Sequence, residues 1–348
     1  MKNKSFQTGL SLIEIMIALL IGAFLIGGVL QIFISSKQTY RMQEGLSRLQ
    51  ENGRFALDFL ARDVRMAGFL GCSSQVTLTN KLNTSVLGTE NYFLYNSFDK
   101  AIEGFEASST TAWTPAINAA ITSPLGGSDI ITIRRADDQG FTVTTHVFDT
   151  AANTSVLTLD ATATTANLQS AKFLTSASPP ANHCAIAVVS DCSAAATFQV
   201  SAVAVGTLSH NTGSSCSPDN STNNLGKAYV GGQVYPINTV SFFIRNNPLT
   251  GSNQKPSLYR KVGSDDAEEL VEGIENMQIL YGVDTDTPFN GPNYYVTADN
   301  ITSTNWPKVV SVRITLTVRT IDGNLTTTGD GRIRRTFTST IALRNRLP

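Results

Sequence analysis

The sequence predicts an α+β protein in which one long N-terminal helix packs on a mostly antiparallel β head with long loops. Three observations lead to this prediction: an apolar run with a single charge near the N-terminus, a following stretch with helical apolar spacing, and a C-terminal region of alternating apolar and polar residues. The pattern divides the chain into a leader at 1–9, a transmembrane half of the helix at 10–34, an amphipathic half at 35–67 and a globular β-rich head at 68–348.

The first helical segment, from Leu10 to Ile34, has Glu14 as its only charged residue. As a helix it would be about 37 Å long, at about 1.5 Å per residue, which is enough to cross a bilayer. The preceding MKNKSFQTG carries Lys2 and Lys4 and no acid, so the positive-inside rule keeps the N-terminus cytoplasmic and the rest of the chain outside. The sequence therefore predicts a single-pass inner-membrane protein with a periplasmic head.

The leader ends at Gly9, before the apolar run, whereas an ordinary secretory signal is cleaved after its apolar run. Cleavage after Gly9 would make Leu10 the first residue and Glu14 the fifth. A short basic leader, a glycine, an apolar residue and this glutamate together resemble the N-terminus of type IV prepilins. The resemblance implies cleavage between Gly9 and Leu10 by a prepilin peptidase and N-methylation of Leu10.

The position of Glu14 has a physical cost, because a carboxyl group costs about 2.5 to 3.5 kcal/mol at the centre of a membrane helix and less near its end. After cleavage the α-amino group of Leu10 would be a cation at the same depth. In a filament it would meet Glu14 of a neighbouring subunit, and that pairing would supply both attraction and axial register. A simple signal anchor whose glutamate reaches the interface is the alternative interpretation.

Helical spacing continues beyond the membrane segment. Apolar residues recur mostly at intervals of three, four or six, and charged residues occupy the other faces. The apolar residues are Leu46, Leu49, Phe55, Phe59, Leu60, Val64 and Met66. Gly68 and Gly71 mark the end of the helix.

The head shows an apolar period of about two. It is clearest in VVSVRITLTVR, where Val310, Val312 and the next three apolar residues alternate with polar ones, and IRRTFTSTIAL is the expected partner across a glycine-rich turn. Shorter strands are predicted at 130–134, 141–148, 185–190, 198–205, 240–244 and 278–283. Tracts rich in Ala, Ser, Thr and Asn around 105–128, 150–178 and 206–226 predict surface loops or thin β-excursions.

The chain has four cysteines, with no CxxC pair and no histidine at ligand spacing: Cys72, Cys184, Cys192 and Cys216. This pattern argues against zinc and favours two disulfides in an oxidising compartment. Three pairings are possible, and the sequence does not select one. Buried free thiols are the alternative.

Several function classes find no support. A formal charge of −1 with 15% charged residues gives no basic face for nucleic acid. His146, His183 and His210 are far apart in sequence, and there is no HExxH, GxSxG, P-loop or Rossmann glycine pattern. We therefore expect surface histidines in loops, no enzyme activity and no cofactor.

An acidic cluster in VDTDTPFNG is a weak calcium candidate, because Asp284, Asp286 and Asn290 offer oxygen ligands before a glycine. Pro288 occupies a would-be ligand position and no distal glutamate follows, so an acidic hairpin turn is preferred. The terminal RNRLP is expected to be a solvated strand end. The preceding Arg332, Arg334 and Arg335 could face an acidic partner, but a solvated edge that discourages aggregation is the simpler expectation.

Six further stretches stand out in order along the chain: RFALDFLARDVRMAGFLGC at the predicted helix end, VVSDC at 188–192, SLYR at 257–260, ENMQILYGVDTD at 275–286, NWPKVVSVRI at 305–314 and IALRNR at 341–346. Together they resemble the PilW family of minor type IV pilins. The resemblance implies a minor subunit that joins other minor pilins and the major pilin at the assembly platform. Such a subunit primes pilus assembly and stays near the tip of the cell-surface pilus, where it helps to present an adhesin for adhesion and twitching motility.

Two other functions compete with this one. A minor pseudopilin of a type II secretion system would share the N-terminus and contact secreted substrates at the pseudopilus tip, but the larger size, the loop-rich middle and IALRNR favour the pilus. A membrane-tethered periplasmic hydrolase or carbohydrate-binding module would need converging acids with a histidine, or an aromatic platform. Neither is visible, since Trp113 and Trp306 are far apart in sequence.

Overall fold

A single long helix, α1, begins the described part of the chain. In the computed structural model, which describes residues 11–71, 76–83, 100–149, 154–174, 184–248, 254–288 and 290–346, α1 runs from Leu12 to Arg65. Its 54 residues confirm the predicted long N-terminal helix. By length and composition it is apolar enough to cross a membrane.

The remaining described residues are mostly β, which confirms the predicted α+β class. One short helix, α2, spans Thr165–Ser170. The strands are β1 (Thr77–Asn80), β2 (Ile102–Ala107), β3 (Trp113–Thr114), β4 (Ile130–Ala136), β5 (Phe141–Asp149), β6 (Thr154–Leu159), β7 (Ile186–Ser190), β8 (Ala194–Gln199), β9 (Ala202–Ala204), β10 (Thr207–Ser209), β11 (Gln233–Asn247), β12 (Lys255–Val262), β13 (Glu268–Glu272), β14 (Ile274–Val283), β15 (Tyr294–Val296), β16 (Val309–Arg319) and β17 (Arg334–Ala342).

The chain forms two compact units. One comprises Met1–Gln50 with Thr320–Ile333, and the other comprises Glu51–Arg319 with Arg334–Pro348. The second unit holds both β-sheets and the last turns of α1.

In the first unit, the stretch predicted as a simple glycine-rich turn is a folded loop. Its ends are joined by the Thr320 N–H, which donates to Ile333 O at 2.9 Å, and its interior by the Leu325 N–H, which donates to Gly331 O at 2.7 Å. The loop lies against the helix at Gly45, where a Cβ atom would stand 2.9 Å from the Leu325 side chain. A residue without a side chain is what permits this close approach.

In the second unit, a 13-stranded sheet follows the order β1-β8-β7-β11-β5-β6-β10-β9, with β4, β2 and β3 on one branch from β11 and β12 and β13 on another. Its described pairs are antiparallel apart from β1 with β8. A four-stranded sheet has the order β15-β14-β16-β17 and is antiparallel throughout. The antiparallel pairing of β16 with β17 confirms the hairpin predicted from alternation.

The end of α1 packs on the four-stranded sheet. Apolar β16 residues facing inward are buried, with Ile314 and Leu316 both 0% exposed. At Gly53 a Cβ atom would lie 2.6 Å from the Phe337 ring on β17, so the helix backbone is in direct contact with that ring. The same helix segment buries Leu60 and Val64 of the predicted apolar stripe. The prediction is wrong for Phe55 and Phe59, which are 50% and 43% exposed.

Asp129 joins the two sheets, because its carboxylate accepts hydrogen bonds from backbone groups on both. Its Oδ1 accepts from the Ala107 N–H of β2 at 3.0 Å, and its Oδ2 accepts from the Ile279 N–H of β14 at 2.8 Å. Its own N–H donates to Met277 O at 2.8 Å. Burial of this charge is possible because each oxygen has a hydrogen-bond donor.

The prediction of surface loops or thin β-excursions for 150–178 fits the short strand β6, but it is wrong for α2 and for the burial of this tract. Residues 154–159 form β6, and α2 follows, capped by the Thr164 hydroxyl, which accepts from the Asn167 N–H at 3.3 Å. Leu157 and Leu168 are fully buried in the core of the large sheet. Five large apolar residues of this tract lie in that core, because the surrounding sheet covers each one: Leu157, Leu159, Leu168, Phe173 and Leu174.

Candidate functional site

The N-terminus of α1 is closed by a reciprocal pair of hydrogen bonds. The Ser11 N–H donates to Glu14 Oε2 at 2.9 Å, and the Glu14 N–H donates to the Ser11 Oγ at 3.3 Å. This is a capping box, which satisfies two backbone donors that a helix start otherwise leaves unpaired. Sequence reasoning missed it, although the S-x-x-E spacing of SLIE is the signal for it.

The segment that follows exposes its apolar side chains on all sides. Leu12 is 77% exposed and Phe24 is 75% exposed, and the most apolar window of α1 has none of its residues buried within the chain. Water is an unfavourable medium for such a surface, whereas lipid or other apolar helices are favourable ones. The segment is therefore built to be surrounded by something other than this chain, which fits membrane anchoring.

The predicted cleavage and methylation residues, Gly9 and Leu10, lie outside the described residues. The same is true of Cys72 and His183. Cleavage after Gly9 and methylation of Leu10 therefore stay predictions.

The structure joins Cys184 to Cys216, which are 32 residues apart in sequence. Cys192 is also disulfide-bonded. Among the three pairings left open by the sequence, the structure contains the one that links the start of β7 to the loop after β10. A disulfide of this span stabilises a fold mainly by restricting the unfolded chain.

The expectation of surface histidines is wrong for His146 and His210. His146 on β5 is 8% exposed, His210 just after β10 is 0% exposed, and their Nε2 atoms lie 3.1 Å apart. The contact forms because β6 pairs with both β5 and β10, which brings residues far apart in sequence to one place. The sequence carries no local signal for such a pairing.

The hydrogen bonds define which nitrogen carries each proton. The Tyr229 N–H donates to His146 Nδ1 at 3.2 Å, so that nitrogen is unprotonated and His146 Nε2–H donates to His210 Nε2. The proton of His210 is then on Nδ1, which has no hydrogen-bond partner among the described residues. In this series of hydrogen bonds Tyr229 donates to His146, and His146 donates to His210. An additional proton on either ring breaks one of these two hydrogen bonds.

Burial favours the neutral form of both rings. It lowers the pKa of His146 to about 4, and burial together with the nearby His146 lowers the pKa of His210 to about 3. A metal bound by both Nε2 atoms would need a proton on His146 Nδ1, facing the Tyr229 N–H. The pair is therefore a neutral structural contact, and within the described residues there is no group of three or more His, Cys, Asp and Glu placed to hold a metal ion.

The weak calcium candidate lies in the loop between β14 and β15. Asp284 is 0% exposed; its Oδ2 accepts from the N–H groups of Asn290 and Gly291, both at 2.7 Å, and its Oδ1 accepts from the Asp286 N–H at 2.9 Å. Burial works against the charged form, but these donors outweigh it and keep the pKa of Asp284 below its ordinary value. The carboxylate that calcium would require is already engaged in holding the loop.

A second acidic group lies where the two sheets meet. Glu106 on β2 has its pKa raised to about 7, first by burial and then by the charges of Asp129 and Asp299, against a lowering by the Ala298 N–H. The hydroxyl of Tyr281, which is 1% exposed, has no hydrogen-bond partner among the described residues. In the folded chain Glu106 therefore takes up a proton as the pH falls through about 7.

The C-terminal arginines are more engaged than a solvated edge would require. Arg334 pairs with Glu275 through two hydrogen bonds of 2.6 and 2.9 Å, and Arg332 donates to Thr320 O at 2.9 Å. In RNRLP, Arg346 donates to Pro307 O at 3.0 Å, and burial lowers its pKa. The expectation of a wholly solvated strand end is therefore wrong for Arg346, whereas Arg335 is exposed.

Comparison with known proteins gives one match. A family model described as Type IV Pilus-assembly protein W (PilW) matches residues 241–345. Comparisons with curated proteins and with solved structures found no match. The matched region contains the four-stranded sheet and the strands β12 and β13, together with residues 241–247 of β11.

Most of the C-terminal stretches that resemble PilW lie within this match. SLYR, ENMQILYGVDTD and NWPKVVSVRI fall inside it, and IALRNR extends one residue beyond its end. The stretches before residue 241 lie outside the match and stay resemblances. PilW proteins take part in type IV pilus assembly and are not a known enzyme family. The match of residues 241–345 to PilW, together with an anchor-like N-terminal helix, supports a part for this chain in type IV pilus assembly.

Proposed function

We propose that this protein is a minor type IV pilin that is cleaved after Gly9, methylated at Leu10 and incorporated into a minor-pilin complex that primes pilus assembly and presents the tip. The observation that carries this proposal is the joint presence of the exposed apolar part of α1 and the PilW match at 241–345. The first supplies a membrane-spanning helix that also packs in a fibre, and the second relates the head to pilus assembly.

The capping box adds a physical step to the charge-pairing hypothesis. Within a single chain, Ser11 satisfies part of the hydrogen-bonding capacity of Glu14, which lowers the cost of holding this carboxyl in the bilayer before assembly. In the fibre, the α-amino group of Leu10 on a neighbouring subunit then meets a carboxylate that is already oriented at the helix start. The head faces the periplasm before assembly and the cell surface afterwards.

The N-terminal residue of the mature protein tests the processing step. Mass spectrometry of protein purified from membranes should find a chain that begins at methylated Leu10, and Gly9→Leu should leave a larger precursor. A mature chain that begins at Met1, or beyond the apolar run, would contradict the proposal.

Deletion of the gene tests the assembly role. We expect loss of surface pili and twitching with export of secreted enzymes unchanged, and restoration of both phenotypes by the intact gene. Normal pili with lost export would instead identify a type II secretion pseudopilin.

A further inference from the structure

Strand β17 forms one edge of the four-stranded sheet, with β16 on its other side. Its nine residues pair with β16 without a register shift, from Arg334 opposite Arg319 to Ala342 opposite Ser311. An unpaired edge of this kind presents backbone N–H and C=O groups that another strand can bind.

One hydrogen bond shows which backbone groups of β17 face away from β16. The Leu343 N–H donates to Val310 O at 2.9 Å, so residue 343 belongs to the set that bonds to β16. Bonding alternates along an antiparallel strand. The outward backbone groups therefore belong to Thr336, Thr338, Thr340 and Ala342, which we call the open edge; none of them has another backbone partner among the described residues.

The open edge lacks the features that usually prevent strand addition. There is no proline, charge or bulge between Thr336 and Leu343. The other end of the same sheet, β15, has only three residues, and β1 and β9 at the ends of the large sheet have four and three. Strand β13, at the end of a branch, has five residues, of which three are glutamates.

Two arginines indicate the charge of a fitting partner. Arg335 lies before the open edge and Arg344 after it; both are exposed, and neither has an ion pair among the described residues. If two copies of β17 paired antiparallel, Arg335 of each would lie near Arg344 of the other, which is unfavourable. A strand with a carboxylate near each end would instead be attracted at both ends.

We propose that the open edge binds an extended segment of a second, different polypeptide, with acidic residues near both its ends and uncharged β-forming residues between them. The segment adds a fifth strand to the sheet beside β17. Backbone hydrogen bonds supply the affinity, and Arg335 and Arg344 select the acidic partner. The open edge depends on the geometry of β17, and the preference for an acidic partner depends on Arg335 and Arg344. Deletion of the gene tests the pilus role separately.

A synthetic peptide tests this with the full chain in detergent micelles. The probe has Glu at both ends and alternating Thr and Val between them, and the control peptide has Lys at both ends. Fluorescence anisotropy should show binding of the Glu-ended peptide about tenfold or more tighter than that of the Lys-ended peptide. Equal binding of the two peptides, or no binding of either, would overturn the proposal.

A matched pair of variants isolates the backbone. Thr338→Pro removes one outward N–H and no bond to β16, a position where an edge strand tolerates proline, and should weaken binding of the Glu-ended peptide about tenfold. Thr338→Val keeps the N–H and should bind as the wild type does. Unchanged binding by a folded Thr338→Pro variant would contradict strand addition.

Hydrogen exchange on the wild-type protein gives a readout that needs no variant. Addition of the Glu-ended peptide should slow exchange at the amides of Thr336, Thr338 and Thr340 and leave Phe337 and Ser339, which already bond to β16, unchanged. A lack of new protection, or dimerisation of the protein through this edge without peptide, would overturn the proposal.

Discussion

The two ends of α1 use similar apolar residues in opposite ways. In residues 12–34 the large side chains are exposed, and Leu19 is 69% exposed; in residues 51–65, which belong to the second unit, Leu60 and Val64 are 0% exposed. One helix thus has an end that is stabilised by its own fold and an end that needs an apolar environment from elsewhere. Helical propensity is common to both ends, and what differs is the surface that each can bury.

The glycines of the helix differ in the same way. A Cβ atom at Gly22, Gly27 or Gly28 would have nothing within 4 Å, whereas at Gly53 it would overlap the Phe337 ring. Gly53 is therefore required by a contact within the chain. The three glycines of the exposed part leave room for other helices to approach closely.

The largest expected effect concerns Glu14, in the exposed part. Glu14→Ala removes both the charge and the capping box, whereas Glu14→Gln removes the charge and keeps a side chain that can cap. If charge pairing drives assembly, both variants should insert in the membrane normally and lose incorporation into pili about tenfold or more. Quantitative immunoblotting of sheared pili and of membranes measures both quantities; wild-type incorporation of Glu14→Gln would leave only the capping role.

Replacing one leucine with alanine at each end of α1 should lower the free energy of unfolding at the packed end, residues 51–65, and change it little at the exposed end, residues 12–34. Leu60→Ala creates a cavity in the packed part and should lower the free energy of unfolding by about 2 to 5 kcal/mol. Leu19→Ala, in the same detergent, should change it little because that side chain is 69% exposed. Denaturant unfolding followed by tryptophan fluorescence measures both variants, and equal losses would remove the distinction.

Adding a methyl group at one glycine in each part gives a smaller difference. Gly53→Ala places Cβ against Phe337 and should destabilise the fold by about 1 to 3 kcal/mol. Gly22→Ala should leave thermal unfolding of the head unchanged, since its Cβ meets open space and alanine favours helix by about 1 kcal/mol. A Gly53→Ala variant as stable as the wild type would show that the helix can move away from the sheet without loss of stability.

Acid should destabilise the β head and leave the exposed part of α1 helical. The folded chain lowers the pKa of His146 to about 4 and of His210 to about 3, so the unfolded chain binds more protons below about pH 6.5. Each histidine contributes stability that is present above that pH and decreases by about 1.4 kcal/mol per pH unit on acidification. Melting temperatures of the full chain in micelles between pH 7 and pH 5 measure the response.

Glu106 acts in the opposite direction and provides a control. Because its pKa is raised from 4.5 to about 7, the folded chain binds this proton at a higher pH than the unfolded chain does. Its contribution to stability is therefore present at low pH and is lost as the pH rises through 7. Glu106→Gln should therefore steepen the loss on acidification, and a variant with Phe at both histidine positions should abolish most of it. An unchanged slope in the histidine variant would show that other groups cause the response.

Sequence patterns predicted the elements whose signal is local. The apolar run and the three-to-four spacing gave α1 nearly to its end, and alternation gave β16 and β17 with their pairing. The prediction was wrong where burial depends on remote strands. Leu157 lies in a tract rich in Ala and Thr, and it is fully buried only because strands from distant parts of the sequence surround it.

The sequence by itself determined that this chain has a membrane-type helix with one acid near its start and a β head, because helix and strand periods and the absence of charge are properties of neighbouring residues. Only the tertiary structure decided that Cys184 pairs with Cys216, that His146 meets His210, and which backbone groups of β17 remain open. Contacts of this kind depend on the register and order of strands far apart in the chain. Many arrangements satisfy the same local pattern, and the packing of the whole head selects one of them.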